Sequence, residues 1–146
     1  MISIIQRVTE AKVTVDGMDI GIIDRGIMAL VAVEKQDGKA QADRLLERIL
    51  NYRIFADAED KMNLSLRDIQ GGLLIVPQFT LAADTQKGNR PSFAAAAPPA
   101  MGRELFAYIE TQAARLHPGS QFGRFGADMK VSLVNDGPVT FTLRCT

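Results

Sequence analysis

The sequence predicts an α+β fold, with antiparallel sheets curled into a barrel-like core and helices packed on one side. Three observations carry that reading. Apolar and polar residues alternate between short turns in the first third of the chain, two later segments repeat apolar residues at helical spacing, and strand patterning returns at the end. With 146 residues, 47% of them hydrophobic, the chain has the length and apolar material of one domain, residues 1–146.

Taken in order, Ile2 to Thr9 and Lys12 to Val15 read as strands, followed by a turn at Asp16-Gly17, a strand from Ile20 to Ile23 and an apolar run from Ile27 to Val33. An antiparallel meander is the expected arrangement. Between Lys39 and Tyr52, Ala42, Leu45, Leu46, Ile49 and Leu50 recur at helical spacing with charged residues between them, so this helix lays one face on the sheet. A polar loop covers Asp57 to Asn63. Gly72-Leu73-Leu74-Ile75-Val76 is continuously apolar and branched, as a buried strand should be, and Pro77 then interrupts its ladder. Thr85 to Phe93, with Gly88 and Pro91, forms a long loop of the kind that often carries function. A second helix runs from about Pro99 to Leu116, with Met101, Leu105, Tyr108, Ile109 and Leu116 sharing a face, and His117-Pro118-Gly119 stops it. Two closing strands, Met129 to Val134 and Val139 to Arg144, are joined by a turn through Asn135-Asp136-Gly137-Pro138.

Composition narrows the function. Seventeen basic residues balance seventeen acidic ones, so there is no global positive field for nucleic acid and any RNA contact must be local. Lys87, Arg90, Arg103, Arg124 and Lys130 are the candidates, against the plainer role of solvated surface charge. No apolar run is long enough to span a bilayer and the start is unlike a signal peptide, so a cytoplasmic chain without a membrane partner is expected. Cys145 has no partner for an internal disulfide and no evident activating base. The one histidine, His117, sits at a helix end, where it suits the helix dipole better than a Ser-His-Asp or Cys-His site. With no zinc-ligand spacing, no Walker loop and no Gly-x-Gly-x-x-Gly, neither a metal nor a cofactor is expected.

Two segments carry more than local structure requires. Pro77-Gln78-Phe79-Thr80-Leu81 ends a buried strand in polar groups around an aromatic, and Asn135-Asp136-Gly137-Pro138-Val139-Thr140 has the residues of an ordinary hairpin turn. They occur in a fixed order with Ile5-Gln6-Arg7-Val8, Tyr52-Arg53-Ile54-Phe55, Lys61-Met62-Asn63, Gly88-Asn89-Arg90-Pro91-Ser92-Phe93, Gly123-Arg124-Phe125 and Ala127-Asp128-Met129. Over nearly its whole length the chain thereby closely resembles the D-aminoacyl-tRNA deacylase family, of the D-tyrosyl-tRNA deacylase type.

The resemblance implies a homodimer that hydrolyses the ester joining a D-amino acid to the 3′ end of tRNA, without a cofactor. The family's Gly-Pro pair, with a cis bond that reaches into the partner's active site, falls on Gly137-Pro138. A cis bond is inexpensive only before proline, and it offers a rigid surface that crowds out an L side chain. Selection by exclusion is blind to side-chain identity, so it implies a broad range of D-aminoacyl-tRNAs, and glycyl-tRNA as well. Gln78, Phe79 and Thr80 match the segment lining the pocket, where backbone N–H groups near Phe79 and Thr80 would hold the ester carbonyl as charge develops. Thr80 invites the role of nucleophile but has no evident base, and in the family the 2′-hydroxyl of the terminal adenosine assists water instead. Arg7 and Met129 match positions near the Gly-Pro element, Arg7 to orient it and Met129 to pack. Pro77 is a departure: the family usually has serine there, and proline removes both a hydroxyl and a backbone donor. Two other readings stay open, a non-catalytic RNA-binding module associated with translation and a deacylase of certain mischarged L-aminoacyl-tRNAs, whose members hold the Gly-Pro bond trans.

Overall fold

Alternating apolar residues build the first two strands of the computed structural model, which describes residues 1–146, and a continuous apolar run builds the third. These are β1 (Ile2–Val15), β2 (Met18–Ile23) and β3 (Gly26–Ala32), followed by α1 (Lys39–Asn51), β4 (Phe55–Ala56), β5 (Met62–Leu64), α2 (Leu66–Ile69) and β6 (Gly72–Pro77). A 3₁₀ turn (Phe79–Ala82), α3 (Pro99–Leu116), β7 (Gln121–Phe122) and β8 (Lys130–Arg144) complete the chain.

The two strands expected before Asp16 are one. β1 pairs with β3 through Ile2 to Val8 and with β2 through Ala11 to Val15, while β8 runs along its other edge from Ile2 to Thr14. Register shifts around Val8 let this spine bend between its two neighbours. The order β2-β1-β3 therefore replaces the expected meander.

On the far side of β3 the antiparallel expectation is corrected, because β3 pairs with β6, and β6 with β7, in parallel. The connections explain it: α1 lies between β3 and β6, and α3 between β6 and β7. A helical crossover returns the chain to the end from which it started, as parallel pairing requires. The sheet is mixed, and it curls until β2 lies over β7. A Cβ on Gly21 of β2 would come within 3.1 Å of the Phe122 carbonyl oxygen.

Curling creates two cores. Ile27, Ala29, Leu73 and Ile75 face α1 and α3, meeting Leu45, Leu46, Ile49, Leu105, Phe106 and Ile109. Met28, Leu74 and Val76 face the inside of the curl, with Val8, Ala11 and Val13. β3 and β6 thus bury both faces, which is why their sequences are apolar without alternation. α1 and α3 keep close to their expected bounds, α3 starting with Pro99 at its first position, where a missing N–H costs nothing.

Candidate active site

β6 delivers the chain to the site. The Gln78 N–H donates to the Val31 carbonyl of β3 at 2.7 Å, so the nitrogen of Pro77 faces the other side, toward Gly123, whose N–H donates to the Ile75 carbonyl at 2.8 Å and whose Cβ, if present, would lie 3.1 Å from Pro77 Cδ. Proline has no N–H to carry that ladder further, and it is tolerated because it stands at the end of β6, where β7 stops at Phe122. In the 3₁₀ turn that follows, the first internal bond runs from the Leu81 N–H to the Gln78 carbonyl, 3.2 Å. The N–H groups of Phe79 and Thr80 precede that bond and have no acceptor within the turn. The Gln78 side-chain amide donates to the Thr80 hydroxyl.

Beside this turn lies a cavity of about 470 Å³. Pro77, Gln78 and Phe79 line one wall, Val31 of β3 and Val33 just beyond it another, Pro99 and Phe106 of α3 a third, and Phe125 to Met129 with Val131 the rest. Phe79 is 58% exposed, its ring centroid 5.2 Å from that of Phe93, which is 41% exposed. Paired backbone bonds between Asp84 and Ser92, 2.7 and 3.0 Å, close the loop that presents Phe93. Met129 shapes the cavity wall through its sulfur, which accepts from the Arg124 N–H at 3.3 Å and would be 2.8 Å from a Cβ on Gly123.

Of the site residues expected from sequence, the cavity gathers Pro77, Gln78, Phe79 and Met129; Thr80 follows directly but does not line it. Phe106 and Val31 line it without having been singled out, and so does Phe125, whose segment carries the resemblance without a site role. They are apolar residues in apolar surroundings, and only their place in the fold distinguishes them from core.

Arg7, Gly137 and Pro138 form a separate unit, and none of them lines the cavity of its own chain. The hairpin expected at Asn135–Pro138 is a wide bulge within the continuous strand β8. Gln6 pairs with Thr140 and Val8 with Asn135, so two steps along β1 oppose five along β8. β8 stays one strand because β1 offers it ladder partners on both sides of the bulge. Side chains fasten it: the Val139 N–H donates to Asn135 Oδ1 at 2.7 Å, and Asn135 Nδ2 donates to Thr140 Oγ1 at 3.0 Å. Arg7 donates through Nε to the Asp136 carbonyl at 2.9 Å and through Nη1 to the Ile54 carbonyl at 2.8 Å. The exposed Gly137-Pro138 peptide is cis, and a Cβ on Gly137 would lie 2.6 Å from the nitrogen of Val139.

The family model described as D-Tyr-tRNA(Tyr) deacylase matches residues 4–144. The chain belongs to that family. A D-aminoacyl-tRNA deacylase of Pseudomonas fluorescens strain Pf-5 is 60% identical over 144 residues, 99% of each chain. A solved structure described as c-Myc DNA Unwinding Element Binding Protein superposes with a TM-score of 0.95 at 36% identity, covering 100% of this chain and 99% of that one. Another, described as a probable eukaryotic D-amino acid tRNA deacylase, shares the fold at a TM-score of 0.82 and 18% identity, with 97% of each chain covered. The α+β class with a nearly closed, barrel-like sheet is thus the fold of the deacylase family.

In this deacylase-family chain His117 supports the fold. Its Nε2 is 2.7 Å from the Gly71 carbonyl, which can only accept, so the ring donates there and ties the end of α3 to the start of β6. Lys87, Arg90, Arg103, Arg124 and Lys130 are all exposed. Lys130 pairs with Asp128 at 3.3 Å, and the Arg103 guanidinium stands 5.0 Å from the centre of the Phe125 ring. No helix is long and apolar enough to cross a membrane, and no group of three or more His, Cys, Asp or Glu side chains could hold a metal.

Proposed function

We propose that the protein is a cytoplasmic enzyme that hydrolyses D-aminoacyl-tRNA to a free D-amino acid and tRNA. The observation that carries this reading is the pair of backbone N–H groups, at Phe79 and Thr80, that have no acceptor within their turn, at the edge of an apolar cavity in a chain 60% identical to a D-aminoacyl-tRNA deacylase. Water adds to the ester carbonyl, the developing oxyanion takes hydrogen bonds from those two donors, and the 3′-oxygen of the terminal adenosine leaves with a proton. An aminoacyl ester is already activated, so positioning and oxyanion stabilisation suffice, with the substrate's own 2′-hydroxyl assisting the water. Thr80 is not the nucleophile in this scheme, since its hydroxyl accepts from Gln78 and no base stands ready to activate it.

Chiral selection is assigned to Gly137-Pro138 of a second copy, entering the cavity and leaving no room for an L side chain. Three features support that assignment: the pair lies outside its own cavity, Asn135 and Arg7 hold it rigidly, and the outer edge of β8 has no partner strand. Glycyl-tRNA, with no side chain to exclude, is expected to be cleaved too.

Hydrolysis of matched D-tyrosyl-tRNA and L-tyrosyl-tRNA, at enzyme far below substrate, tests the reading, with Gly137→Ala alongside. Rapid loss of the D ester alone is the expected result, and Gly137→Ala should cleave neither ester, because its added methyl enlarges a group that already fills the cavity beside the substrate. Survival of both esters would leave a non-catalytic RNA-binding module, and preferential loss of the L ester a deacylase of mischarged L-amino acids.

A further inference from the structure

A second cavity, of about 510 Å³, adjoins the first, and the side chains of Phe106 and Phe125 line both. Its polar lining includes Arg103, Arg124 and Gln121, and Glu110 is its one carboxylate. The Phe125 ring packs so closely on α3 that a Cβ on Gly102 would come within 3.2 Å of it, and the Arg103 guanidinium stacks over the same ring at 5.0 Å. A planar cation held on an aromatic face loses little further freedom when it binds an anion. Neither Arg103 nor Arg124 takes part in any ion pair of the molecule, and neither side chain donates a hydrogen bond to the protein. In a chain of zero net charge, two free guanidiniums gathered in one cavity make a local anion site. Glu110, seven residues beyond Arg103 on α3, lies roughly 10 Å further along the helix axis and marks the far end.

We propose that Arg103 and Arg124 bind the phosphate linking the terminal aminoacyl-adenosine to the preceding nucleotide, so that the second cavity receives the single-stranded 3′ end of tRNA. The inference rests on the deacylase reading. A substrate whose ester occupies the first cavity is covalently continuous with a polyanion, and the shared wall of Phe106 and Phe125 places the two free cations next to where that strand continues. Lys87 and Arg90 lie on an exposed loop and have no comparable anchor.

The test compares D-tyrosyl-tRNA with 3′-D-tyrosyl-adenosine, which lacks the phosphate, across a salt series with Arg103→Ala, Arg103→Lys and Arg124→Ala. Each alanine variant is expected to raise KM for the tRNA ester about tenfold. Each should also lower the dependence of log(kcat/KM) on log salt by about 0.7, the value of one single-strand phosphate contact, and leave the adenosine ester unchanged. Arg103→Lys should keep part of the salt dependence, since it retains the charge. An unaltered KM and salt dependence on tRNA would overturn the inference, and so would equal losses on both substrates, which would mean that Arg103 only braces Phe125. Failure of the unaltered protein to cleave either ester would overturn the deacylase reading and this inference together, an outcome distinct from the other two.

Discussion

Arg7 uses one side chain to hold two carbonyl groups from distant parts of the chain, Asp136 in the β8 bulge and Ile54 before β4. The guanidinium fork matches two acceptors at fixed angles, whereas a lysine ammonium is a point charge without that geometry. Arg7→Lys should therefore leave the bulge loosely held, and the ratio of D- to L-tyrosyl-tRNA hydrolysis should fall roughly tenfold, equivalent to about 1.4 kcal/mol of lost discrimination. Parallel rate measurements on the two esters read this directly; an unchanged ratio would show that Arg7 does not orient the Gly-Pro pair. At this scale the sequence was informative where residues match a known pattern: Gln78 and Phe79 lie together at a cavity, while Met129, expected near the Gly-Pro element, lines that cavity apart from Gly137 and Pro138. Pro77, the departure from that pattern, is explained only by the fold, because it falls at the last position of β6, where the pairing with β7 has stopped.

Among the elements, α2 was missed. The expected polar loop ended at Asn63, and the following Ser65-Leu66-Arg67-Asp68 has the spacing of a capping box, yet four residues are too few to display a helical period. The box is complete: the Ser65 N–H donates to Asp68 Oδ2 at 2.8 Å and the Asp68 N–H to Ser65 Oγ at 3.2 Å. Removing the hydroxyl with Ser65→Ala should cost about 1 kcal/mol, seen as a lower urea midpoint at pH 7 with an unchanged slope. Hydrogen bonds from the Ser65 backbone and side chain hold the Asp68 carboxyl below the ordinary aspartate range. A lowered native pKa contributes stability above the unfolded value near 3.8 and loses it as pH falls through the native value. The stability gap between the protein and Asp68→Asn should accordingly close in acid below about pH 4; a gap that persists unchanged to the acid limit would show that the carboxylate does not cap α2 electrostatically. β4, β5 and β7 escaped notice for a similar reason, since two or three residues cannot show alternation. The parallel pairings were hidden because periodicity reports which faces are buried and leaves strand direction open.

Across the whole molecule, the mixed sheet sets the cavity and the Gly-Pro bulge apart, so a single chain holds both halves of the proposed site without joining them. β8 leaves one edge unpaired, and Val131, Val134 and Phe141 on it are exposed, as a surface awaiting a second copy would be. If the two halves meet only across a twofold dimer, each defect can be supplied by the partner. Phe79→Pro removes one proposed oxyanion donor at the first position of the 3₁₀ turn, where proline fits, and should lower the rate on the order of 10²–10³-fold. Gly137→Ala places a Cβ against Val139 and should disable the other half. Mixing the two inactive variants under conditions that exchange subunits makes half of the dimers hybrid, each with one site that combines an intact turn with an intact Gly-Pro pair. Activity should then recover to about a quarter of the unaltered level. A monomer in light scattering, or no recovery despite demonstrated exchange, would place both halves of the site in one chain and remove the basis for cross-subunit selection.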